Sequence, residues 1–562
     1  MSDYHLGINM GHDRSAAVVR DGEIVVAIEQ ERLDRKKHSI GFLYQTSGDP
    51  EFIQVPGECL KYCMDSLDLP LLAMTTITAN MPGEDFAPRI LRNKFSAETS
   101  HAVREIPSHH LAHAYSAYWP SGFSEALVLV VDATGTTKRT PGLGRQTESY
   151  SLYRASGCQI EPLHSEQIAA HLSSLSTLGF VYEYVSRKAG FVTSVGTVQY
   201  PESGKLMGLA AYGAEQPHWR QWFRKNPGSY SLEISAYDIF LEVAALEKRH
   251  GQDGDVPYLR PWLVDLAYKV QKELEEALEH VVELALRQTG LRKLCMAGGV
   301  ALNSVANYRL LRQLGLDDIF VFPAAGDSGI AAGCAFWAYH QSGGTLRPPL
   351  KVAALGHAHD DVQIAAALDE FSDLVHFEKM TCEEILRQTA TSLATGSIVA
   401  RFEQGAEFGP RALGHRSILA DPTFQEMKAV INARVKFREA FRPFAPVIPL
   451  DRVNEVFVLE HASPFMLLVS EIRPEMRSQI PAVTHADGTG RVQTVDQATN
   501  PFFYQLCNAM AEQRGGPPVI LNTSFNVAGQ PIVETPREAL QTLLSCDLDY
   551  LALGDYWVSK KG

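Results

Sequence analysis

What most constrains the fold of this chain is a strand pattern that occurs twice. Near the start, His5 to Met10, Ser15 to Val19 and Glu23 to Glu29 are short apolar-rich runs joined by Gly11-His12-Asp13-Arg14 and by Asp21-Gly22. Runs of this length, bounded by Gly and Asp, read as three strands linked by tight turns. The same order returns at Ala126 to Asp132, Glu148 to Arg154 and Gln159 to Leu163, with a Thr/Gly loop over Ala133 to Thr137 and a turn at Ser156-Gly157. A repeated three-stranded meander, each copy followed by helical and α/β material, predicts two sheets built on one plan.

Such a duplication resembles the actin-like ATPase superfold, a duplicated ribonuclease-H-like α/β architecture that binds a nucleotide. Further along, Pro261 to Gln288 has the periodicity of a long amphipathic helix and Lys293 to Met296 that of a short buried strand. Ala297-Gly298-Gly299-Val300-Ala301-Leu302-Asn303 is a glycine loop opening a helix, and Ile330 to Tyr339 is helix-like. Glycines there, and Gly135 in the earlier loop, let backbone amides approach a ligand, and a helix N-terminus favours negative charge. The Gly343 to Pro349 stretch is a natural linker, so the domain boundary is expected near residue 352, giving domains 1–352 and 353–562. The second domain starts with helices at Asp361 to Phe371 and Cys382 to Ala394, continues through a strand at Ser397 to Phe402, and ends in Leu548 to Lys560.

His109 and His113 stand four apart, just after Ser108, a good N-cap, with Pro120 expected to end the helix near Trp119. Residues four apart on a helix share a face, so both imidazoles can point at one ion. By itself such a pair is as compatible with two structural histidines. Two acids give it company: Asp132 at the end of Leu127 to Val131, and Asp327 in Gly326-Asp327-Ser328-Gly329 after Ile319 to Pro323. Two His and two Asp suit Fe(II), Mn(II) or Zn(II). His110 points elsewhere on the helix and is expected to be structural.

A formal net charge of −14 opposes long-range attraction to nucleic acid or anionic membrane, so clustered cations in this chain better suit a small anion. The eight cysteines are scattered without a CxxC pair, against a disulfide framework or zinc ribbon. The start, Met-Ser-Asp-Tyr-His-Leu-Gly, has no basic-then-apolar leader and no segment approaches ~18 uninterrupted apolar residues, so the expected location is cytoplasmic.

Cations gather in the second domain. Arg434-Val435-Lys436-Phe437-Arg438 alternates cation and apolar residue, so as a strand it would put three cations on one face. Arg442 follows, and Asn522-Thr523-Ser524-Phe525-Asn526 repeats the alternate spacing with a hydroxyl and an amide. Gly409 to Arg416 is a glycine-framed loop carrying Arg411, His415 and Arg416, and Arg491 stands in Gly490-Arg491-Val492. Cations flanked by Pro, Gly and aromatics look like an enclosed oxyanion site, where arginine forks hold phosphate bidentately.

Taken together, these motifs, with Glu31-Arg32, Lys36-Lys37-His38 and Gly204 to Ala210, resemble the O-carbamoyltransferases of natural-product biosynthesis, the tobramycin, cephem and nodulation-factor enzymes, over essentially the whole chain. That resemblance implies an N-terminal domain similar to the tRNA threonylcarbamoyl-transfer protein and a C-terminal α/β domain resembling the threonylcarbamoyl-adenylate synthase fold. Lys436/Arg438 and Ser524/Asn526 look like the KxR and SxN signature of the latter. It also implies that carbamoyl phosphate and ATP, with Mg²⁺, form carbamoyl-adenylate in the C-terminal site, formed by Arg411, His415, Arg416, Lys436, Arg438, Arg442, Arg491, Asn522, Ser524 and Asn526. The N-terminal site then holds the adenylate, by an iron centre of His109, His113, Asp132 and Asp327 and by Lys37, Gly135, Gly298, Gly299 and Asn303, while a hydroxylated small-molecule acceptor attacks.

Physical chemistry fits those roles. Carbamoyl phosphate is a dianion suited to a pocket of arginines and lysine. An alcohol needs a base near neutral pH, and His12, on the first-meander turn, has a suitable intrinsic pKa. The alternatives are threonylcarbamoyl transfer to tRNA, disfavoured by the acidic balance, and a sugar kinase or plain ATPase of the same superfold, which leaves the C-terminal cations without a task. Acceptor loops are expected at Ser39 to Pro50, Thr137 to Glu148 and Ala214 to Leu232.

Overall fold

The computed structural model describes residues 3–39, 55–80, 91, 103–172, 176–195, 198–251 and 256–561. Two compact units emerge, Met1–Gln30 with His38–Leu350, and Glu31–Lys37 with Lys351–Gly562. The linker near residue 352 is where the second long segment begins, but Glu31–Lys37, expected in the first domain, belongs to the second unit. Its arginines explain why: Arg32 donates to Gly409 O at 2.6 Å, and Arg35 to Ile532 O and Pro531 O at 2.7 and 2.9 Å. Partners hundreds of residues away leave no local trace in the sequence.

In the first unit, β1 (Tyr4–Asn9), β2 (Ser15–Arg20) and β3 (Glu23–Glu29) form an antiparallel meander, and β4 (Thr76–Asn80) and β5 (Val103–Glu105) add parallel strands beyond β1, in the order β3-β2-β1-β4-β5. The second sheet repeats this plan. Its meander is β6 (Glu125–Val131), β8 (Gly144–Ser156) and β9 (Gln159–Ala169), with β7 (Thr137–Thr140) as an extra edge strand on β8. Beyond β6 lie two parallel strands, β10 (Lys293–Ala297) and β11 (Asp318–Val321). One strand order, twice, is the duplicated ribonuclease-H-like, actin-like architecture. β1 and β6 are central in their sheets and buried on both faces, which is why they read as continuous apolar runs.

Helices cover the sheets: α1 (His109–Tyr118), α2 (Leu178–Lys188), α3 (Pro261–Thr289), α4 (Ser304–Gln313) and α5 (Ile330–Gln341). α5 lies against β1 and α1 at very close range. A Cβ on Gly7 of β1 would stand 1.8 Å from Ala331 O, and one on Gly333 of α5 would stand 1.9 Å from Ala112 O, so both positions require glycine. None of the helices among the described residues is long and apolar enough to cross a membrane. Of the expected acceptor loops, positions 40–50 lie outside the described residues, Thr137 to Glu148 is mostly the β7–β8 hairpin, and Ala214 to Leu232 carries a short strand, Phe223–Lys225.

The second unit is built on a nine-stranded mixed sheet with neighbouring strands Val375–Lys379, Tyr556–Lys560, Tyr550–Leu553, Val399–Phe402, Arg416–Ala420, Ile520–Ser524, Ala445–Pro449, Thr489–Val495 and Leu468–Glu471. The Arg434 to Arg438 stretch is not a strand. Asn432–Lys436 is a wide π-helical turn continuing helix Met427–Ile431, and Phe437 ends it at φ +45°. Its three cations accordingly separate. Arg434 turns away to Asp547 and Asp549 at 2.9 and 2.8 Å, whereas Lys436 is buried.

Candidate functional site

In the first unit, chemistry gathers where strands end. His12 follows β1, Asn80 closes β4, Asp132 follows β6 and Asp327 follows β11, the carboxyl-end location favoured by open α/β sheets. α1 supplies the histidine pair. Ser108 caps it as expected, its hydroxyl accepting Leu111 N at 3.2 Å, and the helix ends at Tyr118 beside Pro120. His109 and His113 are fully buried.

The four expected ligand residues converge. His113 Nε2 lies 3.1 Å from Asp132 Oδ2 and 3.5 Å from Asp327 Oδ1; His109 Nε2 lies 3.8 and 3.4 Å from the same two atoms. Atoms each bound about 2.1 Å from a shared ion stand roughly 3.0–3.4 Å apart in octahedral or tetrahedral arrangements. Two of the observed spacings fall in that range and the others exceed it by up to about 0.4 Å, and the four donor atoms lie close enough together to hold a metal ion. Asn80 Oδ1 accepts from His109 Nδ1 at 2.9 Å, which leaves the Nε2 lone pair for the centre. Buried with two carboxylates, His109 is pushed up to about 10: burial opposes the charge, and Asp327 followed by Asp132 outweighs it. Asp132 is held at about 2 against burial and the repulsion of Asp327 by its two histidines. His110, by contrast, is pushed down to about 4 by burial and bonds Ser151 Oγ at 2.8 Å, a structural role.

His12 faces this centre. Its Nε2 lies 3.1 Å from Asp327 Oδ2, and its Nδ1 donates to Asp13 Oδ2 at 2.9 Å. Asp13, at φ +49°, bridges onward, its Oδ1 meeting His38 Nδ1 at 2.9 Å. The His38 ring stacks on Tyr200 at 4.4 Å, and His12 meets that ring edge-on at 5.5 Å. Burial pulls the His12 imidazole down, but Asp327, with Asp13, raises it to about 10. Glu183 on α2 is in the same field, pushed up to about 7 by burial against the pull of His12. Asn80, Tyr200 and Glu183 escaped the sequence reading; Asp13 and His38 stood within motifs it quoted but were given no role in the site.

The glycine loop closes tightly onto a strand end. Gly298 sits at φ +92°, and a Cβ there would stand 2.2 Å from Val131 O, so the loop can close onto the end of β6 only with glycine. Asn303 caps α4, accepting from Ala306 N at 3.1 Å, and exchanges amide hydrogen bonds with Gln271. Its side chain is thereby occupied with structure. Gly135 packs against His110 and Glu148, and Lys37 belongs to the second unit.

In the second unit Lys436 Nζ donates to Ser524 O, and to Asn526 O and Oδ1 at 3.0 and 2.7 Å. Thus the KxR lysine and the SxN segment meet, although the lysine comes from a π-helical turn and Ser524 from the end of strand Ile520–Ser524 rather than from two strands. Arg438 donates to Asn432 Oδ1 at 3.0 Å with its guanidinium 4.4 Å over Phe444. Arg411, Arg438, Arg442 and Arg491 crowd one another. Burial first and neighbouring guanidiniums next push Arg411 down to about 10 and Arg438 to about 9, with Arg491 and Lys436 well below their usual ranges. Glu439 is the carboxylate in reach, 3.6 Å from Arg442. Crowded, buried cations of this kind are stabilised by a polyanion.

Two expected members hydrogen-bond to the scaffold. Arg416, fully buried, donates to Glu403 O, His415 O, Gln404 O and Glu534 O and lies 3.5 Å over Phe402. Asn522 donates to Ala412 O and Gln493 Oε1 at 3.0 and 2.9 Å. The loop itself is shaped by Glu407, which sequence reading missed; its Oε1 accepts from Leu413 N, His415 N and Arg416 N at 2.6, 2.9 and 3.3 Å.

The α/β fold thus carries a group of residues that could hold a metal ion in one unit and a cluster of buried cations in the other. Two family models match the chain, Carbamoyltransferase N-terminus over residues 61–336 and Carbamoyltransferase C-terminus over residues 390–560, and the chain belongs to the carbamoyltransferase family. It is 33% identical over 576 residues to nodulation protein NolNO of Sinorhizobium fredii, covering 98% of this chain and 79% of that protein. The 3'-hydroxymethylcephem-O-carbamoyltransferase of Amycolatopsis lactamdurans is 29% identical, over 70% of this chain and 72% of that protein. Among solved structures, HypF of T. kodakarensis aligns with 61% of this chain and 48% of that one at 15% identity and TM-score 0.37; the fold assignment rests on strand order.

Proposed function

We propose that this enzyme carries out ATP-dependent O-carbamoylation of a small-molecule hydroxyl, in two half-reactions in its two units. In the second unit, Lys436, Arg411, Arg438, Arg442 and Arg491 hold carbamoyl phosphate and ATP, the latter with Mg²⁺. Atom balance requires water: carbamoyl phosphate, ATP and water give carbamoyl-adenylate, phosphate and pyrophosphate. The cation cluster stabilises the charge that develops on each departing oxyanion.

In the first unit, His109, His113, Asp132 and Asp327 hold a divalent ion, for which Fe(II) is the reading favoured by family resemblance and Mn(II) or Zn(II) fit the same donors. A metal bound by these four residues would supply Lewis acidity and positive charge for the transfer step. The acceptor oxygen attacks the carbamoyl carbon, its proton passes to His12 Nε2, and the bond to the adenylate oxygen breaks to release AMP. His12 must be neutral to accept that proton. Asp327 and Asp13 hold it as imidazolium while their charge is uncompensated, and Asp13 keeps Nδ1 as the donor so that Nε2 is the accepting atom.

The observation that carries this reading is the convergence of four buried ligand atoms on one point, with His12 on the outer oxygen of one of them. Carbamoyl phosphate, ATP and a panel of hydroxylated acceptors should yield AMP and a carbamoylated product. Formation of ADP instead would sink the proposal.

A further inference from the structure

His485 takes no part in the mechanism above, yet its surroundings dictate its hydrogen-bonding state. It opens the turn before strand Thr489–Val495, with His485 N donating to Thr489 O at 2.8 Å. Asp487 Oδ1 accepts from Thr489 N at 3.0 Å and from the Thr489 hydroxyl at 2.7 Å. That hydroxyl has one proton, and the carboxylate is the stronger acceptor. Thr489 Oγ1 therefore meets His485 Nδ1, 3.1 Å away, with a lone pair, and Nδ1 carries the hydrogen. In a neutral imidazole of this tautomer, Nε2 is a bare acceptor.

The imidazole is neutral: burial lowers it to about 4 against Asp487, and Arg491 and Lys428 lower it further. Its Nε2 is buried without a hydrogen-bond partner. So are Arg411 Nε and Arg491 Nε. Thr489, against whose hydroxyl the His485 ring rests, and Arg491 stand two apart on strand Thr489–Val495 and share one face, so His485 lies on the side of the sheet that carries Arg491, whose charge is felt together with those of Arg411, Arg438 and Arg442. A buried polar group without a partner costs stability and marks a place a ligand completes. The ligand that completes this one presents acceptors to the guanidiniums and one N–H to His485.

We propose that His485 Nε2 accepts a hydrogen bond from the carbamoyl amino group of the donor whose phosphate the arginines hold, and that it selects a carbamoyl over an acyl donor. The proposal rests on the reading of the second unit as a carbamoyl phosphate site. Carbamoyl phosphate joins several oxyanions and an amino group within one small molecule, matching two guanidinium donors and one acceptor. A site with a buried acceptor rejects the analogue lacking the matching donor, because the acceptor is then left unpaired.

Acetyl phosphate replaces that amino group with a methyl of similar size and is the discriminating probe. Equilibrium binding to the full chain should favour carbamoyl phosphate over acetyl phosphate by roughly tenfold to a hundredfold. His485→Phe should bind the two alike, with inorganic phosphate affinity retained, and His485→Gln, which restores a carbonyl acceptor, should recover part of the preference. Thr489→Val, which keeps the imidazole but frees its tautomer, should reduce the preference by a smaller factor. Retained discrimination in His485→Phe overturns the proposal. So does a loss, in that variant, of preference for ATP over its 6-deamino analogue with carbamoyl preference intact, since the histidine would then read the adenine amino group. If the wild-type chain binds no carbamoyl phosphate, the reading of the site fails; if it binds both donors equally, only the role of His485 fails.

Discussion

Asp327 faces two ways at once. Its Oδ2 lies 3.1 Å from His12 Nε2, while its Oδ1 lies 3.4 and 3.5 Å from the Nε2 atoms of His109 and His113. One carboxylate thus couples the proposed base to the proposed ligand set, and any charge placed among the ligands is felt by the base.

Asp13 is predicted to act through His12. Asp13→Asn keeps the shape but weakens the hold on Nδ1, and by analogy with other orienting partners kcat for carbamoyl transfer should fall about 10–100-fold. KM for the acceptor should change little, and pyrophosphate release in the other half-reaction not at all. Separate kinetics of the two half-reactions check this; a matching loss in both would point to a folding defect.

Metal content should follow the ligand set. His109→Ala or Asp327→Asn should purify with far less bound transition metal than wild type, measured by elemental analysis, while His110→Ala should keep it. Retention of metal by Asp327→Asn would remove that residue from the centre.

Stability of the metal-stripped protein should peak near pH 6.5. His12 and His109 rise from 6.5 to about 10 on folding, so their contribution is fully present below 6.5 and is lost as pH climbs toward 10. His359, His415 and His485 are lowered to about 4, chiefly by burial, so theirs is present above 6.5 and is lost as pH falls toward 4. Melting temperature against pH should show both limbs, and added metal should flatten the alkaline one, because the ion competes with protons for the same atoms. An alkaline limb unchanged by metal would contradict this.

Gly333→Ala should destabilise the chain by about 1–3 kcal/mol or more and reduce metal binding too. The added methyl would stand 1.9 Å from Ala112 O, on the turn of α1 between the two histidines. Thermal melting and metal analysis of the variant test both effects.

Legibility in the sequence followed the range of the interaction. The histidine pair, its Ser108 cap and the doubled meander are local patterns, set by helix and strand periods, and could be read directly. Lys436 shows the limit. Its alternating neighbours imitate a strand, but a π-helical turn and a left-handed Phe437 place it against Ser524 and Asn526, so right residues met for a reason the pattern did not contain. Arg416 and Asn303 show a contact the motif could not reveal, polar residues in ligand-like motifs that satisfy buried backbone and side-chain groups of the scaffold. Asn80, Glu407 and the second-unit membership of Glu31–Lys37 depend on contacts distant in sequence and left no pattern to read.

The division into two half-reactions is tested most directly by one pair of variants assayed for pyrophosphate and for carbamoylated product. Lys436→Ala should release no pyrophosphate from carbamoyl phosphate and ATP, yet still transfer carbamoyl from supplied carbamoyl-adenylate. His113→Ala should form carbamoyl-adenylate and fail to transfer it. Equal loss of both activities in both variants would contradict separate sites.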